Sequence, residues 1–264
     1  SLRPHLSWVD PAMRVLVLGG TTEASALAKL LAGDKRFDAT LSLAGRTSNP
    51  RPQPLATRIG GFGGVEGLAK WLRDENVDAV IDATHPYAAR MSANAVTACA
   101  QTGVPLGSIV RPPWRRLEDD SWRVVPTAEA AAAALGRTPL RVFLSLGRQD
   151  LHAFASASQH RYVARTIEAP EQAALPPNIR ILQARGPFDR DTEAKLLSDE
   201  EIDVIVSKNS GGNATYAKIE AARELDLPVI MIARPDKPAG HALGSPEDAV
   251  AWLHGCAPGS LRGV

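Results

Sequence analysis

His85-Pro86-Tyr87 holds the residues of this chain best suited to handling a proton. It closes the stretch Asp82-Ala83-Thr84-His85-Pro86-Tyr87, which follows the strand-like apolar run Val77–Ile81 and precedes an alanine-rich helical pattern. Imidazole titrates near neutrality and a phenol can donate or stack, so acid–base work by His85 and Tyr87 is one reading. A hydrogen-bonded scaffold histidine, with the tyrosine packed under the helix, is the other. On either reading, a turn from strand to helix lies at the carboxyl edge of a parallel sheet, where open α/β folds take ligands.

Four further turns carry chemistry of the same kind. Leu18-Gly19-Gly20-Thr21-Thr22-Glu23-Ala24 partly matches the dinucleotide-binding pattern G-x-G-x-x-G/A, with Thr21 where the second glycine belongs. Gly19 allows a tight turn, Ala24 allows close packing of helix on strand, and N–H groups at a helix start favour phosphate. Glu23 is equally explained as a first-turn carboxylate facing the helix dipole. At the end of the second strand, Ala44-Gly45-Arg46-Thr47-Ser48 offers an arginine and two hydroxyls where NAD-specific sites carry an acid. Guanidinium pairs well with phosphate, so this turn suits the 2′-phosphate of NADP; a solvated loop arginine is the alternative. Ser207-Lys208-Asn209-Ser210-Gly211-Gly212-Asn213 combines a cation, small donors and glycines at a strand end, which fits an anion or a carbonyl. Ser145-Leu146-Gly147-Arg148-Gln149-Asp150 resembles it, and Arg111, Arg115, Arg116, Arg148 and Arg185 recur near strand ends. Singly, each of these arginines reads as a surface charge; as a set they point to an acidic ligand larger than the cofactor.

The elements that position these turns alternate almost throughout. Strands are expected at 14–18, 39–43, 58–59, 79–81 and 106–110, with helices at 23–31, 65–74 and 88–101 between them. Arg111-Pro112-Pro113-Trp114 then forbids a regular element. Beyond it, strands are expected at 122–125, 140–144, 162–165, 179–182, 204–206 and 229–232. Helices are expected at 128–135, 149–157, 191–197, 213–225 and 246–253. Apolar strands separated by helices mean parallel sheets covered on both faces. The fold class is therefore α/β: two Rossmann-like lobes, over residues 13–111 and 112–254, with mainly parallel sheets and a cleft between them; a single large sheet is the alternative. The terminal elements can cross from one lobe to the other.

At 264 residues the chain has room for two domains. Thirty basic against 29 acidic residues give a net charge of +1, so no global field draws nucleic acid or an anionic membrane. No apolar run reaches the length of a membrane helix, and residues 1–12 show no signal-peptide core. Cys99 and Cys256 lack C-x-x-C or metal-ligand spacing, so no metal is expected, and the usage fits a reducing cytoplasm.

Taken in order, five segments resemble the precorrin-6A reductase family of cobalamin biosynthesis. They are Leu18–Ala24, Asp82–Ala88, Arg111–Trp114, Ser207–Gly212 and Pro228–Ile232 followed by Arg234-Pro235. The resemblance covers the chain from Met13 to Pro235, and its Thr-His-Pro-Tyr and Ser-Lys-Asn-Ser-Gly turns are the most specific. It implies an NADPH-dependent oxidoreductase that saturates one double bond of the precorrin-6A macrocycle to give precorrin-6B. The cobalt-containing macrocycle of the anaerobic route is the alternative substrate, and a two-lobed nucleotide- or tetrapyrrole-binding protein without turnover is the alternative class. The implied cofactor contacts are Gly19, Gly20, Thr21, Thr22, Glu23, Gly45, Arg46, Thr47, Thr84 and His85. The tetrapyrrole, with its acidic arms, falls to Tyr87, Arg111, Arg148, Lys208, Asn209, Ser210 and Gly211. His85, Tyr87 and Lys208 are the catalytic candidates, and a monomer is expected.

Overall fold

The computed structural model of the protein describes residues 11–46, 48–171 and 174–257. Thr47, expected beside the cofactor, lies outside the described residues. The chain forms two compact units, one running to Val110 and resuming at Asp236, the other spanning Arg111–Pro235.

The first unit opens with β1 (Met13–Leu18), α1 (Thr22–Ala32), β2 (Phe37–Leu43), β3 (Ala56–Ile59), α2 (Gly64–Asp74), β4 (Ala79–Asp82), α3 (Ala89–Thr102) and β5 (Leu106–Ile109). Side chains alternate across a strand, so β1 feeds two cores at once. Val15 and Val17 join Ala24, Leu27 and Leu31 of α1 on one face. Leu16 and Leu18 join Leu68 and Leu72 of α2 and Ala95 and Ala98 of α3 on the other.

The second unit contains β6 (Trp122–Val125), α4 (Ala128–Ala134), β7 (Arg141–Ser145), β8 (Arg161–Thr166), β9 (Ile179–Gln183), α5 (Arg190–Asp199), β10 (Val204–Lys208), α6 (Ala217–Glu224) and β11 (Val229–Ile232). All its strand pairs are parallel, in the order β6-β11-β10-β7-β8-β9. Between β7 and β8, where an α-helix was expected over 149–157, the chain forms a 3₁₀ helix, Arg148–Phe154. Leu151 and Phe154 are fully buried there at a spacing of three, which matches three residues per turn. The helix expected from Asn213 begins only at Ala217.

The second lobe, expected to run to residue 254, ends at Pro235. From Asp236 the chain rejoins the first unit and adds β12 (His241–Leu243) and α7 (Pro246–Cys256). The first sheet is thereby completed as β12-β5-β4-β1-β2-β3, parallel throughout. Ser245 caps α7 by accepting from the Asp248 N–H (3.0 Å), and Pro246 stands in its first turn. Ala249 and Leu253 then seat α7 on the core shared with α1. Among the described residues, no helix is long and apolar enough to cross a membrane.

Three residues are too few to announce β12 locally. It is held by Leu243 and by Trp252 of α7, which lie close over Gly107 of β5. A Cβ at Gly107 would stand 2.7 Å from Leu243 Cδ1 and 3.1 Å from Trp252 Cζ3. Gly107→Val is therefore expected to destabilise the protein by about 1–3 kcal/mol through overpacking. Chemical denaturation of the full chain checks this.

Candidate functional site

In the first sheet, successive connections from β1 lead outward through β2 and β3, whereas those from β4 lead the other way through β5. The reversal falls between β1 and β4. In open α/β sheets the ligand crevice opens beyond the carboxyl ends of such a pair. The turns at those two ends are Gly19–Glu23 and Ala83–Tyr87, so the two local signals of the sequence fall on opposite sides of one crevice.

Gly19 packs tightly: a Cβ there would lie 2.7 Å from Leu41 Cδ1, and its N–H donates to the Ser42 carbonyl (2.9 Å). Gly20 has φ +117° and no heavy atom within 4 Å of a Cβ position, so its backbone is open to close approach. Thr21 caps α1 by accepting from the Ala24 N–H (3.1 Å) and donates its own hydroxyl to the Ala83 carbonyl (2.7 Å). One side chain thus starts the helix and fixes the separation of the two turns. Thr22 donates to Glu23 (3.1 Å) within the first turn of α1.

Asp82 organises the opposite turn and is 1% exposed. Its Oδ1 accepts from the Thr84 N–H (3.0 Å) and the Thr84 hydroxyl (2.6 Å), and its Oδ2 accepts from the Ser92 hydroxyl of α3 (2.5 Å). Lys237 Nζ stands 3.7 Å from Oδ2. Thr84, expected against the cofactor, is itself buried, with its hydroxyl proton engaged by Asp82. His85 Nδ1 accepts from the Tyr87 N–H (3.3 Å), which leaves Nε2 to carry the proton of the neutral ring. The His85 and Tyr87 rings lie 5.6 Å apart, tilted by 37°. Both are half-buried. Burial, and next the Asp82 charge, push the Cys99 thiol up to about 12, so it is an inert core group.

Arg46 is exposed past the carboxyl end of β2, after Gly45 at φ +74°. Sequence reasoning passed over Arg58 of β3. It donates to the Ser42 hydroxyl (2.8 Å) and to the Gly60 and Gly61 carbonyls (3.0 Å each), with its guanidinium 3.7 Å over the Phe62 ring. A lone arginine in a strand carries no local signal of such a cage.

The second sheet reverses between β10 and β7. Its two turns there are those expected to hold an anion. Lys208 Nζ pairs across the reversal with Asp150 Oδ2 at 2.5 Å, both side chains partly exposed. Arg148 stands 3.5 Å from Glu168. Three other expected contacts brace the chain entering this unit. Asn209 accepts from the Trp114 N–H (2.7 Å) and donates to its carbonyl (3.0 Å). Arg111 donates to the Ser210 (3.2 Å) and Gly211 (3.3 Å) carbonyls. A Cβ at Gly211, where φ is +69°, would fall 2.2 Å from the Pro112 carbonyl oxygen. Arg234 adds bonds to the Asn209 (2.8 Å) and Arg111 (2.6 Å) carbonyls.

A charged cluster whose members are far apart in sequence lies inside this unit. Arg165 of β8 forks onto Glu193 of α5, with Nη2 2.9 Å from Oε2, and stacks 3.5 Å over Phe188. Lys218 of α6 is buried nearby, 5.2 Å from the Trp114 ring centre. Burial, then repulsion from Arg165, pull the Lys218 amine down to about 7, with Glu193 opposing.

Two parallel-sheet units, each with polar turns at its reversal and the first with a glycine cradle on a capped helix, define a Rossmann-type protein. The model of the family "Precorrin-6x reductase CbiJ/CobK" matches residues 14–254. The chain belongs to this family of reductases. It is 53% identical to "Precorrin-6A reductase" of Rhodobacter capsulatus, over 95% of this chain and 99% of the relative. It is 32% identical to "Cobalt-precorrin-6A reductase" of Salmonella typhimurium, over 84% and 87%. A solved structure of "CobK precorrin-6A reductase" superimposes with a TM-score of 0.88 at 51% identity, covering 96% of this chain and all of the other.

Lys218 makes stability depend on pH. Its pKa is about 7 when folded and 10.5 when free, so between those values the unfolded chain binds more protons and stability rises with pH. Below pH 7 the folded state holds the charged amine at a constant cost. Lys218→Met should therefore stabilise by about 1–4 kcal/mol near pH 6, a gain that fades toward pH 10. Denaturant titrations across that range check the slope.

Proposed function

We propose that the chain reduces the precorrin-6A macrocycle to precorrin-6B with NADPH as the hydride source, in the cytoplasm. The observation that carries the reading is the near-full-length match to precorrin-6A reductases, together with a Gly19–Glu23 cradle of the right chemistry at the first reversal. Gly20 fits a dinucleotide because a side chain is missing where a pyrophosphate would come closest. When bound, the cofactor supplies a hydride. Gly19, Gly20, Thr21, Thr22 and Glu23 are assigned to its phosphates, and Gly45 and Arg46 to the 2′-phosphate. Ala83–Tyr87 forms the wall on the nicotinamide side.

Precorrin-6A carries acetate and propionate arms, so cations at the second reversal are assigned to them: Lys208 and Arg148, with Ser210 as a neutral donor. Asn209, Arg111 and Gly211 contribute by holding that turn in shape rather than by direct contact. The conjugated, protonated macrocycle already favours hydride attack. The protein's main contribution is then orientation, worth up to ~7–11 kcal/mol in the best-aligned cases. His85 serves chiefly to shape its turn, since Nδ1 is occupied by the Tyr87 N–H. The metal-free substrate is favoured over its cobalt counterpart by similarity. Five precorrin-6A reductases share 44–53% identity with the chain, against 28–32% for three cobalt-precorrin-6A reductases. Both cysteines are free thiols, which fits a reducing compartment.

An anaerobic assay with purified precorrin-6A should show NADPH oxidation outpacing that of NADH. Binding of both ligands without oxidation would establish a non-catalytic protein instead. Arg46→Ala is expected to weaken NADPH binding by roughly 10- to 100-fold, the loss of one charge-assisted contact, and to leave NADH binding unchanged. Equal affinities before and after would remove Arg46 from the 2′-phosphate.

A further inference from the structure

The segment Asp236–Gly240, which carries the chain back into the first unit, is pinned to the polar groups that hold the Ala83–Tyr87 turn. The Gly240 N–H donates to the Ser108 hydroxyl (2.9 Å), and Ser108 pairs in register with Asp82. Lys237 reaches the same carboxylate, with 16% of its side chain exposed against 1% for Asp82. Asp82 is the one ion partner of that ammonium among the described residues. An ionised carboxylate removed from water needs compensating charge as well as hydrogen bonds. Thr84 and Ser92 supply neutral donors, and Lys237 supplies the cation. Through Asp82 that charge acts on Thr84, the residue that leads into His85-Pro86-Tyr87.

We propose that Lys237 is a positioning residue: its pairing with Asp82 holds the Ala83–Tyr87 turn in the conformation that orients the nicotinamide end of the cofactor. The assignment rests on the NADPH reading above. Arg46, at the adenine end, follows β2, and the phosphate cradle Gly19–Glu23 keeps its own Gly19–Ser42 and Thr21–Ala24 bonds, meeting the opposite turn at the Ala83 carbonyl, ahead of Thr84. Loss of the pair therefore acts on hydride transfer and spares adenine-end binding. A pair that merely stabilised the fold would weaken all functions together.

Full-length Lys237→Met and Lys237→Arg, with the paired variant Asp82→Asn/Lys237→Met, separate these roles. Each is measured for affinity toward 2′-phospho-ADP-ribose, which lacks nicotinamide, and for kcat with precorrin-6A. Lys237→Met should bind the fragment as the unaltered protein does, while kcat falls about 100-fold, the scale of a misplacement of about 1 Å. Lys237→Arg should recover most of the rate. If Lys237→Met does not fold, the paired variant leaves neither ion alone in the interior and should show the same loss of rate. Unchanged kcat in a folded variant overturns the proposal, as does a parallel fall of kcat, fragment affinity and Tm. If the unaltered protein binds neither NADPH nor the fragment, the cofactor reading fails first and this role fails with it.

Discussion

Strands that pair in parallel need a crossover between each two, and the crossovers cover both faces of the sheet. Polar chemistry is then excluded from the faces and confined to the strand ends. In the first unit β1 is apolar and buried from Val15 to Leu18, and β4 is apolar up to Asp82 at its final position. In the second unit Lys208 is likewise the last residue of β10. Where the order of winding reverses, two adjacent turns diverge and leave room between them. The reversals at β1/β4 and β10/β7 therefore place the polar turns of each unit before any particular side chain is considered.

Charge buried near these edges is handled in two ways. Asp82 is surrounded by neutral donors on its own turn and on α3, with one cation supplied by a segment more than 150 residues later in the chain. That arrangement ties one turn to α3 and to the returning segment. Arg165, Glu193 and Lys218 instead put two cations around one carboxylate, and burial, then repulsion from Arg165, shifts the lysine toward its neutral form. The first keeps geometry constant and the second ties stability to pH. Prolines require a third device. Pro112 and Pro113 lack N–H groups and cannot join a ladder, so Asn209, Arg111 and Arg234 fasten that stretch through backbone atoms.

The turns were legible because each combines residues that a local conformation requires. Gly19, Gly20 and a capping Thr21 can be read from seven consecutive residues, as can Thr84-His85-Pro86-Tyr87. What those side chains do in three dimensions was less legible. Asn209 and Arg111 look like ligand contacts by residue type, yet both hold backbone from a distant stretch. Arg58, Lys218 and Lys237 gave no signal, because their partners are far away in sequence. The spacing of three between Leu151 and Phe154 resembles an α-helical face when read within one short window.

By itself, then, the sequence determined the parallel α/β class, the two series of strands, the glycine and Thr-His-Pro-Tyr turns, and the family. These follow from steric and periodic preferences that act over a few residues. Tertiary structure alone decided that the chain returns to the first sheet through β12 and α7, and that Lys237 completes the charge balance of Asp82. It alone separated bracing residues from exposed ones at the second reversal. Those outcomes depend on which remote groups meet. A hydrogen bond such as that from Gly240 to Ser108 spans 132 residues, and no local preference carries information over such a distance.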